Sequence, residues 1–126
     1  MKIQELNTKL EGFTGTEGYH YLNFLKNLKF TDGMKFLCEE TGSFWLIDIV
    51  TSVQSLSNII DNHFIIWRLE VKGTNGKISA YSDCESDGSY SINKQLYTQV
   101  IEYSDFPEGN FEFYQINDVV LLKSEY

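Results

Sequence analysis

The stretch FIIWRLEVKGTNGK, residues 64–77, decides the fold of this chain. Apolar side chains occupy every second position in its first part, at Ile65, Trp67, Leu69 and Val71. This period of two is typical of a strand with one buried and one solvated face. Asn75-Gly76 is the most favourable two-residue hairpin turn, because both central positions need positive φ. We therefore predict a hairpin at Asn75-Gly76, with a return strand that ends near Asp83.

The chain after this hairpin is predicted to continue as strands. Their ranges are Leu96–Tyr103, Asn110–Ile116 and Val119–Leu122. Tight turns are predicted at residues 106–109, where Pro107 presets φ, and at Asn117-Asp118. This half of the chain is thus expected to form an antiparallel meander.

The chain before the hairpin has helical apolar spacing instead. One face of a short helix is marked by Ile3, Leu6 and Leu10. A second helix is predicted between an N-cap at Thr31 and a stop at Gly42. A third, Phe44–Leu56 with Ser43 as its N-cap, is apolar on nearly every face, which is typical of a central core helix. Tyr19–Leu28 fits either a strand or helical turns.

Together these patterns predict an α+β fold, with N-terminal helices packed on a C-terminal antiparallel β-meander of four to five strands. We expect one domain over residues 1–126, mainly helical in 1–62 and antiparallel sheet in 63–126. A second core would leave each half near the lower size limit of a domain. The aromatic share of 15% excludes intrinsic disorder.

Targeting segments and cofactor motifs are not found in the sequence. No apolar run approaches the ~20 residues that cross a bilayer, and Met1–Leu10 lacks the basic and apolar regions of a signal peptide. We therefore expect a soluble, cytoplasmic protein. Cys38 and Cys84 have no CxxC spacing, so neither a disulfide framework nor a zinc site is predicted. Walker, dinucleotide, zinc-protease and nucleophile-elbow motifs are missing, so no cofactor is predicted.

The net charge restricts the class of partner. The chain has 18 acidic and 10 basic residues, a net charge of −8. From Asp83 to Tyr126 there are nine acidic and two basic residues, so this stretch carries −7. Such a surface repels phosphate backbones, because nucleic-acid affinity depends on Lys and Arg. Direct nucleic-acid binding is therefore disfavoured, and a basic protein surface is the predicted partner.

The segment Asp83–Gly88 imitates the opening of a calcium loop, with oxygen ligands at alternate positions and a glycine at the sixth. Position 12 is Lys94 instead of a bidentate acid, and the flanks are predicted strands. We therefore predict a polar hairpin tip with no metal. The residues predicted to contact a partner are Asp83, Glu85, Asp87, Tyr90, Glu102, Asp105 and Glu108.

Tyrosines next to these acids have two interpretations. Rigid aromatic side chains supply contact area at low entropic cost, and they also fill cores and sheet edges. The residues concerned are Tyr90, Tyr97, Tyr103, Tyr114 and Tyr126.

Asp48 stands in the most apolar predicted helix, where an unpaired buried carboxylate would be costly. Three interpretations remain open: a hydrogen bond to a neighbour, exposure on a polar stripe, or catalysis together with a histidine. The histidines, His20 and His63, occur in no recognisable nucleophile arrangement.

Several segments resemble a known family. The first three are FTGTE (13–17), TDGMKFL (31–37) and GSFWLID (42–48). The others are FxxWxL (64–69), DFP (105–107) and SEY (124–126). The pattern T-D-G-x-x-[YF]-L … [YF]-W-L-I-D resembles a small bacterial family of unknown function, although Phe36 and Phe44 stand where tyrosine is common. The resemblance implies a setting in phages, plasmids and other mobile elements, and it brings no activity or site residue.

These observations predict a non-enzymatic, acidic protein-binding module, a candidate phage or mobile-element inhibitor of a bacterial defence nuclease (anti-CRISPR-like). The alternatives are a small enzyme that uses Asp48 and a structural subunit of a larger assembly. The oligomeric state is left open.

Overall fold

A computed structural model describes residues 2–21, 28–102 and 104–126. The helices are α1 (Ile3–Leu10), α2 (Asp32–Thr41), α3 (Trp45–Ser52) and α4 (Ser57–Ile60). The strands are β1 (Tyr19–His20), β2 (Lys29–Thr31), β3 (Phe64–Lys72), β4 (Asn75–Tyr81), β5 (Gln95–Ile101), β6 (Gly109–Ile116) and β7 (Val119–Leu122). The predicted α+β class is confirmed. No helix in these three ranges has the length and apolar character that a bilayer crossing needs.

The strands form a mixed sheet in the order β1-β2-β7-β6-β3-β4-β5. β2 and β7 run parallel, with Lys29 opposite Val119, and every other described pair is antiparallel. The predicted meander of four to five strands is therefore wrong in two respects. β6 returns to the free side of β3 instead of following β5, and two short strands from the first half extend the sheet. β6 holds the middle position of the seven strands, and β3 lies next to it in the interior of the sheet, where Ile65 to Trp67 are buried on both faces.

The β3–β4 hairpin turns two residues earlier than predicted. Lys72 pairs with Asn75, so the turn residues are Gly73 and Thr74. Gly73 has φ 63°, and a II′ turn needs positive φ only at this first position. Gly76 lies inside β4 instead. The predicted turn at residues 117–118 is confirmed, since Ile116 pairs with Val119 and residue 117 has φ 54°.

The predicted ends of α2 are confirmed. Thr31 is the N-cap, and its Oγ1 accepts a hydrogen bond from the Met34 N–H at 3.3 Å. Gly42 ends the helix in the left-handed region with φ 66°. α1 also matches its prediction, with Leu6 and Leu10 buried.

α3 is shorter than the predicted Phe44–Leu56, because it ends at Ser52. The hydroxyls of Thr51 and Ser52 donate to the carbonyls of Ile47 and Ile49. Such bonds compete with the backbone ladder in the last turn. Ser43 is also not an N-cap, since its hydroxyl bonds to that of Thr41.

The core lies between one face of the sheet and the helices. Trp67 and Phe113 stack at its centre with ring centroids 6.3 Å apart. The Trp67 Nε1–H donates to Gln115 Oε1 at 3.0 Å, which satisfies the indole in the interior. The helices contribute apolar side chains to the same cluster, including Leu6, Leu37, Leu46 and Val50.

Candidate functional site

Four of the predicted contact residues, the acids Asp83, Glu85 and Asp87 and the aromatic Tyr90, lie on the connection between β4 and β5. Asp83 and Asp87 are exposed and Glu85 is half-buried. The chain reverses at Glu85–Gly88, where the Gly88 N–H donates to the Glu85 carbonyl at 2.9 Å. Asp87 Oδ1 accepts the Ser89 hydroxyl at 2.6 Å and the Ser89 N–H at 3.0 Å. These bonds hold the pKa of Asp87 below its ordinary value, so the tip stays negative in mild acid.

Asp83, like Asp87, accepts a hydrogen bond from its own segment of the chain. No group of three or more His, Cys, Asp or Glu side chains that could hold a metal ion occurs among the residues that the structure describes. The Asp83 Oδ1 accepts the N–H of Cys84 at 2.8 Å, as a local turn contact.

The other three predicted acids lie on the connection between β5 and β6. Glu102, Asp105 and Glu108 are all exposed. This connection runs past the tip of the β3–β4 hairpin, where Glu108 Oε1 accepts the Gly73 N–H at 3.2 Å. β5 has seven residues, so the two acidic connections lie about 20 Å apart at its opposite ends. The structure therefore divides the predicted contact residues into two groups.

Some carboxylates of the acidic half are paired with cations. Glu85 lies 3.7 Å from Lys94, and Glu112 lies 3.0 Å from Lys123. The predicted contact acids without an ion pair to any described cation are Asp83, Asp87, Glu102, Asp105 and Glu108. Within the described part of the chain, both ends of β5 therefore keep negative charge that no cation pairs with.

Tyr90 anchors the β4–β5 connection to the outer face of the sheet. The Arg68 guanidinium carbon lies 4.8 Å from its ring centroid, and Tyr81 packs beside it with centroids 4.8 Å apart. Burial and the nearby carboxylate of Glu112 raise the pKa of Tyr90. This contact fixes the base of the acidic tip.

The other tyrosines divide between core and surface. Tyr97 packs against Trp67 with centroids 6.4 Å apart, and its hydroxyl donates to Gln99 at 2.8 Å. Tyr114 and Tyr126 pack edge to face, and Tyr126 remains 74% exposed. Tyr103 lies outside the described residues.

Asp48 is exposed on α3, as the interpretation of a polar stripe expected, and it is not a buried carboxylate paired with a neighbour. It shares an outward face with Ser52, one turn further on, and α3 is buried on its remaining sides. Each histidine pairs with another residue. His63 Nδ1 lies 3.0 Å from Asn117 Oδ1, and His20 Nε2 lies 2.7 Å from Asp32 Oδ1.

The His20–Asp32 pair was missed by sequence reasoning. Asp32 Oδ2 also accepts the Glu17 N–H at 3.1 Å, and the Asp32 N–H donates to Thr16 Oγ1 at 3.0 Å. The hydrogen bond with His20, followed by the bond from the Glu17 N–H, lowers the pKa of the Asp32 carboxyl. The Thr16 hydroxyl already donates to the Gly18 carbonyl at 2.6 Å. The group therefore organises the loop before β1 and offers no free nucleophile.

A second missed cluster joins two distant segments at the start of α2. The Glu125 carboxylate accepts the Thr31 hydroxyl at 2.5 Å, the Leu122 N–H at 3.0 Å and the Gly33 N–H at 3.2 Å. A Cβ on Gly33 would lie 2.5 Å from Glu125 Oε1. Only glycine therefore allows this approach. A glycine in the first turn of a helix, where it is unfavourable, was the available indication in the sequence.

A surface pocket of about 400 Å³ lies between α1 and β6. Its lining includes Leu10, Phe111, Arg68 and Lys123. The volume is in the range of small-molecule sites. However, Arg68 and Lys123 both lie against Glu112, at 3.5 Å and 3.0 Å, so the cations are already partnered. The predicted contact acids and Asp48 do not line this pocket.

A family model described as a family of unknown function, DUF6876, matches residues 4–126. The chain therefore belongs to that family. No curated protein and no solved structure matches it. The expected resemblance to a family of unknown function is thus confirmed, while the detailed pattern and the mobile-element setting stay predictions.

Proposed function

We propose that this member of the DUF6876 family is a non-enzymatic binding module that presents acidic loops to a basic surface of another protein. One observation carries the proposal. Exposed carboxylates with no ion pair to a cation of the described residues stand at both ends of β5, with Asp83 and Asp87 at one end and Glu102 and Asp105 at the other. A charge pattern of this kind accelerates the encounter with a basic partner and makes it sensitive to salt.

The physical properties of the acidic tip support this use. Asp87 keeps its charge in mild acid because Ser89 stabilises the carboxylate. Tyr90 and Arg68 hold the base of the connection on the sheet, so less conformational entropy is lost on binding than with a free loop. The tip therefore offers negative charge on a supported backbone.

The proposed target is a bacterial protein whose basic surface ordinarily binds phosphate groups, such as the nucleic-acid channel of a defence nuclease. Such channels are lined by Lys and Arg. An acidic protein that occupies one would exclude the nucleic acid by competition for the same cations. The proposal includes a phage or mobile-element origin of the protein. It also places the protein in the bacterial cytoplasm, where it would meet this target.

The test compares two variants with equal change in net charge. The site variant carries Asp83→Lys, Glu85→Lys and Asp87→Lys. The control carries Glu5→Lys, Asp48→Lys and Asp61→Lys, which replace exposed acids that belong to neither acidic connection. Both variants should keep the circular dichroism spectrum and the melting temperature of a folded protein.

Tagged proteins are used to capture partners from a bacterial lysate at 50 mM and 500 mM salt, and partners are identified by mass. The dissociation constant of the main partner is then measured with purified protein. We expect capture that falls at high salt and is weakened about tenfold or more in the site variant, with little change in the control. Equal affinity of the site variant and the parent protein would refute the proposal.

A further inference from the structure

β5 forms one edge of the sheet, and the register shows which of its backbone groups point outward. Lys72 pairs with Asn75 across a two-residue turn, so Asn75 and every second residue after it bond to β3. The alternate residues Gly76, Ile78 and Ala80 bond to Ile101, Gln99 and Tyr97 of β5. The N–H and C=O groups of Thr98 and Val100 therefore point away from the sheet.

One hydrogen bond confirms this direction. The Leu96 carbonyl, which belongs to the same outward series, accepts the side-chain Nδ2–H of Asn58 from α4 at 2.7 Å. The helix thus covers the beginning of the edge. Among the described residues, no hydrogen bond is made to the outward groups of Thr98 and Val100.

Beyond the register shift at Ala80/Tyr81, which affects only its beginning, this edge carries little of the usual protection against strand pairing. Natural edge strands carry charged residues or proline, or are covered by other elements. Gln95–Ile101 contains no charged residue and no proline. Thr98 is exposed, and Val100 is 70% exposed. An uncharged, apolar and accessible edge is a template for a further strand.

We propose that β5 is a docking strand to which an extended, basic segment of a partner protein is added. The backbone groups of Thr98 and Val100 supply the new ladder, and the acids at the two ends of β5 bind Lys or Arg side chains that flank the segment. The distance of about 20 Å between these ends corresponds to about six residues of an extended chain. The choice of a basic segment rests on the proposed function, whereas the open edge does not.

Charge also argues against a second copy of this chain as the occupant. In an antiparallel pair of β5 strands, the end that carries Glu102 and Asp105 would meet the end that carries Asp83 and Asp87. Like charges would then face each other at both ends of the new ladder, which is unfavourable.

The test uses a synthetic peptide of alternating threonine and valine with two lysines at each end. Its matched control has the same sequence with N-methyl groups on alternate amides, which removes the donors of one edge. The protein variants are Val100→Pro and Val100→Thr. Proline removes an outward N–H and leaves the bonds to β4 intact, and threonine keeps both the N–H and a strand preference. Binding is followed by ¹⁵N NMR, with amide hydrogen exchange at Thr98 and Val100.

We expect the unmodified peptide to bind, to protect the Thr98 and Val100 amides from exchange, and to lose about tenfold or more in affinity on Val100→Pro but not on Val100→Thr. The N-methylated peptide should bind more weakly by a similar factor, and this arm does not depend on the folding of a variant. If neither Val100→Pro nor N-methylation of the peptide lowers the affinity, the inference of strand addition is wrong. The proposed electrostatic function is not contradicted by that result.

The opposite result separates the two ideas. Val100→Pro and N-methylation could weaken binding while the double variants Asp83→Lys/Asp87→Lys and Glu102→Lys/Asp105→Lys bind the peptide with unchanged affinity. In that case strand addition is supported and the proposed acidic function is wrong. If the peptide does not bind, or if the free protein forms a dimer that Val100→Pro dissociates, a basic partner segment is the wrong occupant.

Discussion

Replacement of Gly33 by alanine should destabilise the protein, although alanine favours helices. A Cβ at this position would lie 2.5 Å from Glu125 Oε1 and 2.6 Å from Leu122 Cδ1. The Glu125 side chain can move away only by giving up its three hydrogen bonds. Leu122 is 2% exposed and has little room to turn. The substitution therefore removes the contact between α2 and the last turn.

The magnitude follows from two opposing contributions. Alanine instead of glycine stabilises a helix by about 1 kcal/mol. Hydrogen bonds to a charged acceptor contribute about 1.5–3 kcal/mol each when buried, and less here because Glu125 is half-buried. Loss of the three bonds should cost about 2–4 kcal/mol. We expect a net decrease of about 1–3 kcal/mol in the free energy of unfolding.

The assay is urea denaturation followed by tryptophan fluorescence, with Gly33→Ala, Glu125→Ala and the double variant. Because both single substitutions remove the same contact, the double variant should be more stable than the sum of the single effects predicts, by about 1–2 kcal/mol. A Gly33→Ala variant that is as stable as the parent protein, or more stable, would show that Glu125 does not need the glycine. Strictly additive effects would contradict the contact itself.

Three further predictions concern single side chains. The pKa of Asp32 is lowered in the folded protein, so the stability that its carboxylate provides is present above its ordinary pKa of about 3.9 and is lost as pH falls through the folded value. In urea denaturation at a series of acidic pH values, Asp32→Asn should therefore weaken the loss of stability with falling pH. An unchanged pH dependence would count against the His20–Asp32 pair. Burial raises the pKa of Cys38 to about 12, so a thiol reagent should modify the half-buried Cys84 first, with Cys38 reacting only after unfolding; two rapidly reacting thiols in the native protein would contradict the buried placement. Asp48→Asn should change the free energy of unfolding by less than about 0.5 kcal/mol and leave partner capture unaltered, since the carboxylate is exposed; a larger loss would reopen a role for it.

Features set by neighbours in the sequence could be predicted. The ends of α2 follow from Thr31 and Gly42, whose side-chain oxygen and backbone freedom act within one turn of the helix. The alternation of apolar residues in β3 correctly predicted that Ile65, Trp67, Leu69 and Val71 are buried. The hairpin register was wrong because Gly73 alone satisfies the turn, and the more favourable pair at Asn75-Gly76 is used inside β4.

Features set by distant residues could not be predicted. The parallel pairing of β2 with β7 and the bond between Thr31 and Glu125, 94 positions apart, have no counterpart in local periodicity. The acidic residues were expected on the surface because of their composition. Their division into two groups follows from β5, whose opposite ends carry the two connections. The exposure of Asp48 follows from the orientation of α3 on the sheet.

The parallel pairing of β2 with β7 also has a consequence for biosynthesis. On the ribosome, the second edge of β2 stays open until β7 emerges, although the β3–β4 and β4–β5 ladders can already form. Contacts of such long separation slow folding and prolong the exposure of apolar surface. We therefore expect β2 to complete its pairing only once β7 has emerged, so the apolar surface beside β2 is covered late in folding.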